Sequence, residues 1–566
     1  MRIINWGVSA LSLAMTIPMV QAQDLPLEPM LARDAAMDLY QAGEFVAAGE
    51  AYEDLLAVNP ADGGYWYYLA RSRSQARNCE GAIPAMQQSI ALGSFGGTLR
   101  RSLVELAGCL AISGRHEEAL ASLRRAQIHY NFSAFEQLAN DGRFGTLIET
   151  SEFQRLANPG MALTGDRDEG WRADLTYLVN LMEARHPNPF HTVSEADWRT
   201  AIEVLDRDIP VMSDVQVVGA LQRLAGMIRD GHTSLYIPFG GEHAFHMLPI
   251  MPYVIGDETY ILAADETHAD LVGSRIIAVD GIAMEEAWGR IAEGFPHDNT
   301  QTDKITVPLA LTFAETGAGL LGSDDETGLT LALEALDGST RSVRLTGVPP
   351  NRNPVPLWAP DGWASMGPAE LPMWLARKDE AHWFDDLEDI NAVYAQINQT
   401  RNTDDRSLAE FASQMTAHIE ATGAERLVLD IRNNMGGDGT LNMELIRAIL
   451  RADNLDHEGG VFVITGPRTF SAAMIMSSML EQMVGVIFVG EPTGSRPNFY
   501  GEDTTVVLPY SQINGSISSR WFQGGETSDD IRPWIAPDIP AELTVDDVLT
   551  GNDPALEAIY RYVATH

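Results

Sequence analysis

The sequence predicts a multidomain α+β protein: an N-terminal α-helical repeat array, a helical subdomain, a small β unit and a C-terminal α/β core. Three observations predict it. Alanines recur in similar settings near the N-terminus, at Ala48, Ala82 and Ala119. Between residues 246 and 300, short apolar runs alternate with turn residues. Near the C-terminus two further apolar runs, in LVLDIRNNMGG and VFVITGPRTFSAA, each break at glycine and restart as a helix. The chain has 566 residues, 45% hydrophobic and 21% charged, which suits several domains of ~150 residues each.

The first 22 residues read as a secretory signal peptide. Arg2 precedes an apolar stretch, and Val20-Gln21-Ala22 forms a small-residue cleavage site. The stretch is shorter than the ~20 residues a membrane span needs, and no cysteine follows it to carry a lipid. The mature chain is therefore expected to be soluble and periplasmic or secreted, with no membrane insertion after cleavage. The formal charge of −41 repels phosphate backbones and anionic lipid, so nucleic acid is not an expected partner. The two cysteines, Cys79 and Cys109, could oxidise in an exported protein, but their spacing leaves pairing open.

Residues 23–160 form the predicted helical domain. Gly43-x-Phe45-x-x-Ala48 with Tyr52 recurs as Arg77-x-Cys79-x-x-Ala82 with Met86, and again as Gly114-x-His116-x-x-Ala119 with Leu123. Small alanines let paired helices approach, and the step from Ala48 to Ala82 resembles the period of a tetratricopeptide array, about 34 residues. Such an array offers a surface for a protein partner. AFEQLANDGRFGTLIETSEFQRL reads as its capping extension, and the turn-rich NPGMALTGDRDEG marks a boundary near residue 165. Residues 165–239 carry three helical patterns, the last running into Asp230-Gly231-His232-Thr233 with Gly231 as terminator. Residues 240–300 resemble a reduced PDZ-like unit. A hairpin around Asp337-Gly338 and a Pro/Trp/Gly-rich lid or packing loop fill residues 301–383. The α/β core occupies 384–566.

Within that core, consecutive strand–loop–helix units lie side by side in a parallel sheet, since such crossovers are short and right-handed. Their loops then meet at the carboxyl edge, where open α/β sheets bind ligands. Ser471 stands at the start of the second helix. Serine there commonly caps orphan N–H groups. The small Ala472-Ala473 beside it leaves room for a substrate, and the Ala472 N–H points with the helix dipole toward a developing oxyanion. Across from it, the Gly436-Gly437 turn offers a second donor. A serine nucleophile needs a base. The only lysines are Lys304 and Lys378, neither in a Ser-x-x-Lys motif, and arginine stays protonated. Histidine is left, and His232 sits where an amphipathic helix breaks. No Gly-x-Ser-x-Gly elbow, His-Glu-x-x-His or Cys-x-x-Cys occurs, so neither an esterase elbow nor a metal site is expected. No phosphate-binding or dinucleotide fingerprint occurs, and no cofactor is expected.

The set DGHT, LVLDIRNNMGG, TFSAA, GEPTGSRPNFYGE and APDIP, in this order, resembles the tail-specific or C-terminal processing serine peptidases, tricorn-like branch. The resemblance spans residues 165–566, the greater part of the chain. It implies ClpP/crotonase-like βα units, a polypeptide substrate with unfolded or C-terminal tails favoured, Ser471 as nucleophile, and an oxyanion hole from the N–H groups of Ala472 and of Gly436 or Gly437. One branch of that family takes its base from a lysine downstream of the serine, in a Gly-Lys context. Arg496 stands at the matching position, in Gly494-Ser495-Arg496, so a Ser–Lys mechanism is excluded. The tricorn-like branch implies His232 as base. Asp530 resembles the position of the orienting acid, with Asp230 and Glu491 as rivals. The alternative is a catalytically inactive peptide- or ligand-binding protein on the same scaffold.

Overall fold

The computed structural model describes residues 28–93, 96–130, 132–157, 166–350, 353 and 357–566. The leader and the 158–165 boundary segment lie outside the described residues. The chain divides into two compact units, residues 1–157 and 158–566.

In the first unit six helices, Glu28–Gln41, Phe45–Val58, Gly63–Gln75, Cys79–Leu92, Gly96–Ile112 and His116–Tyr130, pack each against the next. The alanines picked out by their spacing make this possible. Ala48, Ala82 and Ala119 are all buried, as are Tyr52, Met86 and Leu123 one turn on. A side chain larger than a methyl at these positions would hold neighbouring helices apart, because interiors are close-packed. Asp62 and Asn78 cap two of the helices, accepting from N–H groups of their first turns. A disulfide joins Cys79 to Cys109 with their Cα atoms 5.0 Å apart, resolving the pairing that spacing left open. Phe135–Ala139, Gly145–Glu149 and Ser151–Ala157 follow as short helical turns. Their Phe135, Leu147 and Phe153 close the core.

The second unit begins with helices Arg167–Arg185, Glu195–Asp208 and Asp214–Gly226. The last ends earlier than its pattern suggests, and Gly231 is not its terminator. The positive φ falls instead on Arg229, at 54°. Gly231 is small for a different reason: a Cβ there would come within 2.6 Å of the Phe470 ring.

An antiparallel sheet follows, in the order Ile250–Ile255, Glu258–Ala264, Arg275–Val279, Gly328–Glu334, Thr340–Thr346. The hairpin expected beyond residue 300 as an insertion is thus the far side of this sheet, since Gly328–Glu334 pairs with Arg275–Val279. Helices Met284–Ala292 and Thr300–Ala310 pack on it. The Pro/Trp/Gly-rich segment, where described, packs rather than projects. Ala364–Ser365 pairs with Glu258–Ala264, and Trp358, Met366 and Trp374 are buried against Met251 and Leu262.

The core sheet has six strands in the order Ile539–Pro540, Ile487–Gly490, Val461–Thr465, Arg426–Asp430, Ala392–Ile397, His382–Leu387. All neighbouring pairs are parallel except the last. From Ala392 to Gly490 each strand pairs with the next in sequence. Right-handed crossovers of that kind leave their helices on one face. Leu408–Thr422, Asn442–Arg451 and Ala472–Met483 accordingly share a core there, while Pro554–Thr565 covers the other face with Tyr394, Val428 and Phe462. Buried on both faces, the strands read as continuous apolar runs.

A three-stranded sheet completes the unit. The long hairpin of Asn498–Val507 and Asn514–Gln523 takes Ser234–Leu235 on its free edge, with Ser234 opposite Ser516 and Leu235 opposite Gly515.

Candidate active site

Ser471 follows the Val461–Thr465 strand and immediately precedes the Ala472–Met483 helix. Its backbone has φ 52° and ψ −118°, and its hydroxyl makes no capping bond. An L-residue in that conformation is strained by an order of 1–3 kcal/mol and persists only where its surroundings hold it. They do. Phe470 N–H donates to Asn434 O at 3.1 Å, Thr469 Oγ1 donates to Ile431 O at 3.1 Å, and Asn442 Nδ2 donates to Ala472 O at 2.8 Å. These bonds tie the serine turn to the neighbouring strand–loop–helix unit. The hydroxyl, freed from capping, meets His232 Nε2 at 3.0 Å.

His232 is brought there from 239 residues away in sequence. Its ring lies between two phenyls, Phe470 at 4.6 Å and Phe499 at 5.5 Å between centroids, both nearly parallel to it. Its main chain is fixed from both sides. The His232 carbonyl accepts from Ser516 Oγ at 2.6 Å, and its N–H donates to Asp230 Oδ1 at 2.8 Å. Gly501 passes the edge of the ring; a Cβ there would lie 3.5 Å from His232 Cε1.

The Gly436-Gly437 turn stands against the serine. A Cβ on Gly436 would fall 2.7 Å from Ser471 Cβ and 3.1 Å from the Ala472 nitrogen, and both glycines have positive φ, 115° and 133°. The two N–H groups are not equivalent. Gly436 N–H already donates to Asn434 Oδ1 at 2.9 Å. Thr400 bridges the residues on either side of Gly437, donating its N–H to Gly436 O and accepting from Asp438 N–H. In such a bridge the N–H of the middle residue points away from the partner strand, as it does in any parallel ladder. For Gly437 that is the side of the Val461–Thr465 strand, from which Ser471 follows. Among the described residues no acceptor takes the Gly437 or the Ala472 N–H. The donor pair facing the serine is therefore Ala472 with Gly437, and Gly436 provides the clearance.

The acid that the motifs suggest does not touch His232. Asp530 accepts from Arg532 at 2.8 Å, and Arg532 also reaches Glu481 at 2.7 Å. Held below the usual carboxylate range chiefly by that arginine, Asp530 closes a surface ion-pair cluster and has no bond to His232. Glu491 pairs with Lys304 at 3.2 Å, and burial pushes its carboxyl up. Asp230 contacts the histidine, but through the backbone. Its Oδ1 also accepts from Thr233 N–H and Ser518 Oγ, and its Oδ2 faces His186 Nε2 at 3.0 Å. His186 Nδ1 accepts from Asn188 N–H at 3.0 Å, so the ring's proton sits on Nε2 and donates to Asp230. Burial opposes ionisation of Asp230, yet His186, Ser518 and Thr233 together hold its carboxyl below the usual range.

His232 Nδ1 is buried and unpartnered among the described residues. Asp298 is a nearby carboxylate that no motif pointed to. Its Oδ1 accepts from Gly231 N–H at 2.8 Å, and its Oδ2 takes the Ser495 hydroxyl. Arg496 donates to the Asp298 carbonyl, so the arginine at the position where the motif resemblance led one to look for a lysine anchors this segment. Burial raises the Asp298 carboxyl above its ordinary value, against the pull of His232 and Ser495. Nothing in PHDN marks Asp298 as a site residue. Phe470, adjacent to the serine, was visible in the sequence, but its stacking was not.

No family model and no curated protein matches the chain. Among solved structures it is similar to mature CPAF complexed with lactacystin, at 14% identity over 70% of this chain and 97% of that one, with a TM-score of 0.47. It is similar to the photosystem II D1 C-terminal processing protease at 15% identity, over 69% and 97% of the two chains, with a TM-score of 0.35. Similarity to the tricorn protease is 14% over 70% and 37%, with a TM-score of 0.33. Two of the three are proteases by name. At such scores the chemistry rests on the geometry of the site itself.

Proposed function

We propose that the chain is an exported serine peptidase that hydrolyses polypeptides by a Ser–His mechanism. The observation that carries this reading is the 3.0 Å approach of His232 Nε2 to the Ser471 hydroxyl, at a strained serine flanked by two unengaged N–H donors. In this mechanism His232 takes the hydroxyl proton as Ser471 Oγ bonds to the substrate carbonyl carbon. The carbonyl oxygen gains negative charge between the Ala472 and Gly437 N–H groups. The C–N bond breaks as His232 returns the proton to the leaving amine, and water then repeats the sequence on the acyl-enzyme. The motif resemblance narrows the acyl donor to a polypeptide with unfolded or C-terminal tails. Export is supported by the leader's pattern and by the Cys79–Cys109 disulfide, which belongs to oxidising compartments. Among the described residues no helix is long and apolar enough to cross a membrane.

The competing reading is a binding protein on the same scaffold, and the unpartnered His232 Nδ1 favours it, since nothing fixes the tautomer. Against it stands the hydrogen-bonding distance between base and nucleophile, which a mere binder does not need. The deciding experiment is labelling with a fluorophosphonate. The wild-type chain labels at Ser471, and Ser471→Ala abolishes labelling with an unchanged circular dichroism spectrum. Labelling that survives the substitution would sink the assignment.

A further inference from the structure

Two cavities lie beside the residues that surround the serine, one reaching Gly436 and the other His232 and Phe470, and they differ in chemistry. The one on the Gly436 side, about 740 Å³, has a mixed lining that includes Leu357, Trp358 and Pro360 as well as Lys378, Asp379 and Arg468. The one on the His232 side, about 370 Å³, is lined by Tyr236, Phe239, Phe295, Ile305, Leu309 and Phe313. Its inner wall is His232 and Phe470 themselves, and Met435 borders both cavities. Tyr236, Phe239 and Met435 are each more than two-fifths exposed, so large apolar side chains face solvent at its mouth. In a chain of net charge −41, this cavity has one carboxylate in its wall, Asp503. A volume of this size falls within the range of ligand pockets.

We infer that this apolar cavity receives the side chain of the residue on the amine side of the scissile bond, and that the enzyme selects large apolar residues there. The inference rests on the peptidase reading above and follows from the tetrahedral intermediate. Its carbon carries four groups: Ser471 Oγ, the oxyanion, the acyl side of the chain and the leaving nitrogen. The oxyanion turns toward the Ala472 and Gly437 N–H groups. The leaving nitrogen must turn toward His232 Nε2, because it takes its proton from there. The residue that begins with that nitrogen therefore lies on the histidine's side, over the wall formed by His232 and Phe470. The acyl side is left for the mixed, charge-bearing cavity at Gly436. An apolar side chain is favoured among phenyl and aliphatic groups because burial removes its surface from water. An acidic one would lose its hydration there beside Asp503, with no partner of opposite sign.

The test is to digest a synthetic peptide library, randomised over eight positions, with the full-length protein and to sequence every new N-terminus. Leu, Ile, Met and Phe are expected at the first position of the released fragments about ten-fold more often than Asp, Glu or Gly, the scale of apolar pocket discrimination. In Phe239→Ser, at a half-exposed site on the cavity mouth, the enrichment should shrink several-fold, and an unchanged enrichment counts against this cavity as the subsite. Ser471-dependent cleavage with no apolar enrichment at that position, or with enrichment confined to the residue before the cut, overturns the subsite and leaves the peptidase reading intact. Absence of any Ser471-dependent cleavage overturns both.

Discussion

At the scale of single residues, the site depends on a serine that does not cap its helix. Its strained backbone turns the hydroxyl toward His232 instead, and Ser471→Ala is expected to abolish fluorophosphonate labelling while leaving the packing. Asp298 gives a second residue-scale prediction. Burial holds its carboxyl above the ordinary value. A group with a raised folded-state pKa contributes stability below its unfolded pKa, near ~3.9 for Asp, and loses it as pH rises. At neutral pH the buried charge therefore costs stability. Asp298→Asn keeps an oxygen for Gly231 N–H and removes the charge. Thermal unfolding at pH 7 should shift up by about 1–2 °C, with the advantage gone near pH 4. A lower unfolding temperature at pH 7 would show that the charge itself is needed. Ser471, His232 and Ala472 were legible in the sequence because each sits where a periodic pattern breaks. Asp298 was not, because its partners, Gly231 and Ser495, are distant in sequence.

At the scale of elements, two turns decide the geometry. The Gly436-Gly437 turn needs glycine twice, once for clearance from Ser471 and once for the close approach to Thr400, whose oxygen lies 2.2 Å from where a Gly437 Cβ would be. Gly436→Ala is expected to lower kcat about 100-fold or more, the loss associated with a disturbed oxyanion donor. Steady-state kinetics on any cleaved peptide would measure it. The Asp230–Thr233 turn holds the base by its backbone. Asp230 titrates below the usual range, so its contribution is present above the unfolded value and is lost as pH falls through the folded one. Acid inactivation below about pH 4 should accompany release of this turn and be followed by loss of protection of the His232 and Thr233 amides in hydrogen exchange. Asp230→Asn should lower kcat by about ten- to a hundred-fold with little change in KM, as expected when a base is displaced rather than removed. The strand–loop–helix repeats were readable because buried parallel strands are unbroken apolar runs. The Asn498–Gln523 hairpin was not read from the sequence, and its first strand is interrupted by Glu502 at φ 59°.

At the scale of the whole molecule, the chain divides into two compact units. The disulfide closes a loop of 30 residues within the first unit, which stabilises it by about 3–4 kcal/mol on the chain-entropy account. Cys79→Ser with Cys109→Ser should therefore lower a calorimetric transition of the helical array while leaving Ser471 labelling unchanged. A proportional loss of labelling would mean that the array's integrity is coupled to the site. The array as a surface for a protein partner remains our proposal, supported by its repeat period alone.

Sequence by itself determined the helical array, the parallel core and the Ser471 turn, because these are written in local periodicity and in the few residues able to break it. The motif resemblance suggested Asp530 as the acid, with Asp230 and Glu491 as rivals, and in the structure an arginine has claimed the Asp530 carboxylate. Only the tertiary structure decided that His232 reaches Ser471, that Gly437 and not Gly436 offers the free donor, and that Gly231 is small to admit Phe470. Each of these depends on segments far apart in the chain. His232 meets the serine because the strand after it pairs with a hairpin from near the other end of the chain, Ser234 opposite Ser516. Such a pairing fixes distances that no local pattern records.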